Sequence, residues 1–210
     1  MATTDEPALT ERYAALPDGG GPAVGEPLLT RWREPHRRYH GEDHLRFLLA
    51  RLDELAGSAA DPVAVELAGW FHDAVYDPRG ADNEERSAQL AETDLPDSAR
   101  RAEVARLVRL TAGHRPAPGD TNGATLCDAD LAILAGAPEA YAAYAAAVRD
   151  EYGHLDDAVF AAGRGEVLRQ LLTRPRLFHT AYGAEHWEET ARFNLTTELG
   201  LLEVPPTGGR

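Results

Sequence analysis

Three observations predict an all-α protein built as a single helical bundle. Apolar residues recur at helical spacing almost throughout, strand signals are nearly absent, and helix-start signatures are frequent. The 210 residues suffice for one well-buried domain, and 43% hydrophobic with 27% charged residues is the balance of a folded globular chain.

Taken in order, the first 26 residues hold the run Pro17-Asp18-Gly19-Gly20-Gly21-Pro22, followed by Gly25 and Pro27. Such a density of breakers predicts a flexible N-terminal arm over 1–26. A helical domain is expected over 27–203, and a frayed tail over 204–210, where Pro205 and Pro206 lack backbone donors. Leu45, Leu48, Leu49, Leu52 and Leu55 form one stripe of an amphipathic helix that starts near Asp43. Asp61 with Pro62 behind it marks the next start, and Val63, Leu67, Trp70 and Phe71 make that helix strongly apolar. Asp82 with Glu85 three residues on begins another, and Asp97 precedes a further periodic run. A loop over 115–122 carries Pro116, Pro118 and Gly119, and later helices are expected over 129–135, 138–152, 156–173 and 185–199.

Charge and composition exclude several classes. A net charge of -14, with arginines scattered among acids, repels a nucleic-acid polymer but leaves room for a small anion. The longest nearly apolar stretch, over 140–148, is too short to span a bilayer, and the N-terminus lacks a basic segment leading into an apolar one, so a cytoplasmic protein with no membrane partner is expected. The single cysteine, Cys127, fits a reducing compartment and a packing role. Covalent catalysis has no visible apparatus: there is no Gly-x-Ser-x-Gly, no phosphate-cradling glycine loop followed by lysine, and no lysine anywhere.

Histidines and aspartates carry the chemistry. His36, His40 and His44 lie four apart and share a face if the helix extends backward through Gly41. His44 precedes Leu48 and Leu52 at the same spacing, so it points inward with the leucines, where an imidazole needs a partner. His72-Asp73 closes the apolar helix. In Asp128-Ala129-Asp130 the two carboxylates cannot face the same way. Asp130 shares buried-face spacing with Ile133 and Leu134, whereas Asp128 sits where a helix N-cap would be useful. Two imidazoles and two carboxylates make a hard nitrogen and oxygen set suited to a divalent ion such as Mn, Mg, Fe, Co, Ni or Zn.

Tyr39-His40-x-x-x-His44, then His72-Asp73, then Ala129-Asp130-Leu131 resembles the HD superfamily of metal-dependent phosphohydrolases. The likeness covers roughly residues 28–199 and is nearest to small bacterial members of unassigned substrate. Glu34-Pro35-His36-Arg37, Trp70-Phe71-His72-Asp73-Ala74-Val75-Tyr76-Asp77, the run from Asp82 to Ala88 and the run from Asp128 to Leu134 look like that group.

The resemblance implies an HD-type helical bundle with His44, His72, Asp73 and Asp130 as metal ligands. Cyclic-nucleotide phosphodiesterases of the superfamily have a similar Tyr-His-x-x-x-His element whose first histidine protonates the leaving oxygen, a role that maps onto His40, although asparagine follows there and Gly41 here. Members with two metals carry further histidines after the His-Asp pair; only His114 is well placed, so one metal is expected. The implied reaction is hydrolysis of a phosphomonoester or phosphodiester in a small, nucleotide-like substrate by metal-activated water, with His40 or His114 donating to the leaving group and Asp73 also able to hold the water. Arg37, Arg149, Arg164 and Arg192 are candidate phosphate clamps, and Asn83, Glu84 and Asp128 candidate groups that orient the ligands. Tyr141, Tyr144 and Trp187 read as core. The alternatives are an iron-dependent oxygenase on the same scaffold and a non-catalytic nucleotide or metabolite sensor.

Overall fold

The computed structural model describes residues 8–203, which form eleven α-helices and one short 3-10 turn, with no strand among the described residues. In order they are α1 (Leu9–Ala14), α2 (Pro22–Trp32), α3 (Glu42–Glu54), α4 (Pro62–Phe71), α5 (Asn83–Asp94), α6 (Ala99–Thr111), α7 (Thr121–Leu131), the 3-10 turn Ala132–Ala135, α8 (Pro138–Glu151), α9 (Asp157–Leu172), α10 (Ala181–His186) and α11 (Glu188–Glu203). The all-α class is therefore observed.

The centre is α4. Asp61 caps it by accepting from the Ala64 N–H, and Pro62 occupies its first turn, as the local sequence requires. Ala64, Val65, Leu67, Ala68, Trp70 and Phe71 are all buried, because α3, α6 and α7 pack around this one helix. Gly69 lets α3 approach: a Cβ there would stand 2.7 Å from Leu48 Cδ2. α5 and α6 form a hairpin on one side. On the other, α9, α11 and the 3-10 turn pack together, and Asn194 of α11 donates to the Leu134 and Gly136 carbonyls that end the turn.

The expected arm over 1–26 does not describe residues 8–26; residues 1–7 and the expected tail over 204–210 lie outside the described residues. Leu9 and Tyr13 are buried, and the Tyr13 hydroxyl donates to the Gly19 carbonyl at 2.8 Å. The glycines form a tight turn, with Gly20 and Gly21 at φ 76° and 66°, and Pro22 starts α2. Gly25 is there to seat the Tyr13 ring, which a Cβ would strike. Breakers thus mark a turn between two packed helices. Another difference is α7, which begins at Thr121 with Asp120 as its cap, so Asp128 lies inside a helix instead of capping it.

No single helix among the described residues is long and apolar enough to cross a membrane; the pair Thr121–Ala135 and Pro138–Glu151 that would be together is bent by 104°.

Candidate metal centre

Three helices deliver one polar cluster. His44 comes from the first turn of α3, His72 and Asp73 from the end of α4, and Asp130 from the end of α7. The stretch ahead of α3 adds His40, and the turn after α6 adds His114.

His44 Nε2 lies 3.2 Å from His72 Nε2 and 3.1 Å from Asp130 Oδ1, while His72 Nε2 lies 3.1 Å from Asp73 Oδ2. His72–Asp130 and His44–Asp73 are longer, at 3.6 and 3.8 Å. Neighbouring ligands of an ion with bonds of about 2.1 Å stand roughly 3.0–3.4 Å apart, so the short edges match a coordination shell. His72 Nδ1 donates to the Gly69 carbonyl at 2.8 Å, which fixes the tautomer that turns a lone pair on Nε2 toward His44. Two imidazole lone pairs facing each other repel unless a cation or proton sits between them. The donor set thus fits a divalent ion, and His44, His72 and Asp130 could hold one, with Asp73 adjoining. His44 Nδ1 has no partner among the described residues, so packing by Trp32 and Tyr39 sets its ring.

The electrostatics agree. Burial opposes charge on every member, yet His72 holds the carboxyls of Asp73 and Asp130 below the usual carboxylate range. Burial also lowers the His72 imidazole, but those two carboxylates lift it well above its ordinary value. Burial wins at His44, which is pushed down toward the neutral ligand form. Two buried carboxylates demand a positive charge; a proton on His72 or a cation meets the demand.

Asp73, Asp130 and His72 open onto a cavity of about 430 Å³ whose wall also includes His40, Tyr76, Glu84, His114 and Tyr152. His114 Nε2 sits 2.7 Å from Asp130 Oδ2. That reach depends on a left-handed backbone, φ 47° at His114, which Arg174 braces through the Gly113 and His114 carbonyls.

One partner escaped the sequence reading. Glu151, the last residue of α8, accepts the N–H groups of Arg38, Tyr39 and His40 on Oε1 at 2.8–2.9 Å. Its Oε2 accepts from His40 Nδ1 at 2.6 Å and from the Tyr76 hydroxyl at 2.9 Å. Burial alone would lower His40, but Glu151 and the site carboxylates raise it; burial alone would raise Glu151, which His40 draws down to about 2. The local signal was there: Tyr141, Tyr144, Val148 and Glu151 follow helical spacing along one face of α8, so a carboxylate occupies a core position. Nothing local names its partner more than 100 residues away.

Several expected roles fall. Arg37 is no phosphate clamp: it is buried, and its guanidinium is spent on Glu34 and on the carbonyls of His40, Asp73 and Ala74. Arg149 holds the Tyr152 and Leu155 carbonyls and Asp157. Arg164 pairs with Glu198 and the Tyr144 hydroxyl, and Arg192 with Glu188 and the Leu172 and Arg174 carbonyls. In a chain with a surplus of carboxylates, arginines on helices find acids and helix ends first. Asp128 faces away from the centre, taking the His179 and Thr180 N–H groups and the Thr180 hydroxyl at the start of α10. Asn83 closes the turn at Asp77, and Glu84 makes no hydrogen bond or ion pair with His44, His72, Asp73 or Asp130, so neither holds them in place by such a bond.

Against known proteins, no family model, curated protein or solved structure matches the chain.

Proposed function

We propose that this chain is a metal-dependent phosphohydrolase of the HD type, cleaving a phosphomonoester or phosphodiester in a small, nucleotide-like substrate. The observation that carries the reading is the convergence of His44, His72 and Asp130, with Asp73 beside them, at a polar cavity that also contains an imidazole backed by a buried carboxylate. A bound divalent ion supplies a water acidic enough to ionise near neutral pH and a Lewis acid for the phosphoryl oxygen.

The chain's own groups supply the rest. Asp73, adjoining the ion's site, would position the attacking water through its carboxylate. His40, with Nδ1–H engaged by Glu151, presents Nε2 to the cavity and keeps its proton because its basicity is raised. It is therefore the better donor to the leaving oxygen, since His114 is already committed to Asp130. The small cavity supports a small substrate, and the -14 charge argues against a nucleic-acid polymer.

The test is a panel of nucleotides, phosphomonoesters and phosphodiesters, assayed on protein stripped by chelator and reloaded in turn with Mn, Mg, Fe, Co, Ni and Zn. Hydrolysis that appears with one of these ions and vanishes with His72→Ala is the expected result. Protein that binds the ion stoichiometrically yet hydrolyses no member of the panel would overturn the reading.

A further inference from the structure

The carboxylates and imidazoles on the cavity wall are Asp73, Asp130, Glu84, His40, His72 and His114, joined by the phenols of Tyr76 and Tyr152. No arginine is among them, and the chain has no lysine. Arg37, the arginine behind this wall, has its guanidinium distributed over Glu34 and three carbonyls, so it is not available to a ligand. A divalent ion balances Asp73 and Asp130 and leaves Glu84 over.

Glu84 stands in the first turn of α5, half-buried, and makes no hydrogen bond or ion pair with any described residue. Its neighbour Glu85 shows what this chain ordinarily does with such a side chain: Arg109 holds it through two nitrogens. Glu84 shares the wall with the phenol of Tyr152, which burial raises, a hydrogen bond with Tyr76 lowers, and the charges of Glu151 and Glu84 raise further. The cavity wall thus offers an unpaired carboxylate and the Tyr152 hydroxyl, with no arginine or lysine to meet a second phosphate.

We propose that this cavity takes esters bearing a single phosphoryl group whose alcohol portion carries hydrogen-bond donors, hydroxyl or ammonium, and rejects di- and triphosphates, with Glu84 as the specificity-determining residue. The inference rests on the phosphohydrolase reading and narrows it. The phosphoryl group would bind at the end of the cavity formed by His72, Asp73 and Asp130, beside His40. The alcohol portion crosses toward Glu84, where a donor gains a charge-assisted hydrogen bond and a further phosphate meets a like charge. A cavity of about 430 Å³ accommodates a ligand of that size.

The experiment compares kcat/KM for the mono-, di- and triphosphate of one nucleoside, a polyol phosphate and an aminoalkyl phosphate. Wild type, Glu84→Gln and Glu84→Arg are assayed as full chains reloaded with Mn, with circular dichroism and metal content recorded for each. Wild type should prefer the monophosphate over the triphosphate by at least about tenfold. Glu84→Arg should close or invert that ratio, with Glu84→Gln in between, and Glu84→Gln should cost the aminoalkyl phosphate more than the polyol phosphate. A wild type that prefers triphosphate, or a ratio unmoved in Glu84→Gln when Glu84→Arg misfolds, overturns the proposal while hydrolysis itself stands. Metal-loaded wild type inactive on every ester overturns both readings.

Discussion

Asp128 and Asp130 sit two positions apart on α7 yet do different work. Asp130 touches His44, His72 and His114. Asp128 is fully buried and accepts three hydrogens from the segment that starts α10, and a Cβ on Gly183 would stand 2.7 Å from its Oδ2. Asp130→Asn is expected to weaken metal binding by more than about 100-fold, since even partners one shell further out cost 10–100-fold. Asp128→Asn should keep the metal and lose about 1–3 kcal/mol of stability in denaturant unfolding, because it turns an acceptor toward donors into a mixed group. Equal metal affinity in the two variants would remove Asp130 from the ligand set. His72→Ala or Asp73→Ala should lose metal with helical content kept, because an open site contributes less to folding than a closed structural one; full metal occupancy in both would contradict that assignment.

At the scale of elements, the C-terminus of α8 is what holds the stretch between α2 and α3 against the site. Glu151 collects three backbone N–H groups and the His40 imidazole, so one carboxylate both shapes the turn and sets the acidity of His40. Its low value, about 2 against an ordinary 4.5, means that its contribution is complete above pH 4.5 and lost as pH falls toward 2. The raised His40 acts with the opposite sign: its contribution is complete below 6.5 and lost as pH rises through the elevated value. The docked turn is therefore most stable in the window between. Glu151→Gln removes the charge that keeps His40 protonated. On a substrate with a poor leaving group, the alkaline limb of kcat/KM should move to lower pH by about one unit, an opposite charge being worth 1–3. An unmoved limb would mean that His40 is not the acid. The effect should shrink for a p-nitrophenyl ester, whose leaving group needs no proton.

For the whole molecule, the α1–α2 hairpin is part of the core. Tyr13 packs edge-on against Trp70 at 5.0 Å between ring centroids, and Trp32 at the end of α2 donates to the Trp70 carbonyl at 3.0 Å, just before His72. Tyr13→Ala should cost about 3–5 kcal/mol, as for other buried aromatics, read from the denaturation midpoint; a change below 1 kcal/mol would restore the picture of a loose arm. Saturating metal should raise the melting temperature of wild type, since an ion at a hundredfold excess over its Kd adds about 2.7 kcal/mol, and the shift should be absent in His72→Ala.

The periodicity of apolar residues, the Asp61-Pro62 start and the inward register of His44 were legible from the sequence, because each is set by neighbours within about two turns of a helix. The His72-Asp73 pair at the end of an apolar helix was legible for the same reason. What needed the tertiary structure was every choice made by a distant partner: Asp128 bound to the start of α10 instead of capping its own helix, Glu151 behind His40, and arginines consumed by acids and carbonyls instead of substrate. It also turned a run of helix breakers into the corner of a packed hairpin, since glycine and proline announce that the chain changes direction but not whether the flanking side chains find a core. Local spacing decides which face a side chain takes; only the packing of the helices decides what it meets there.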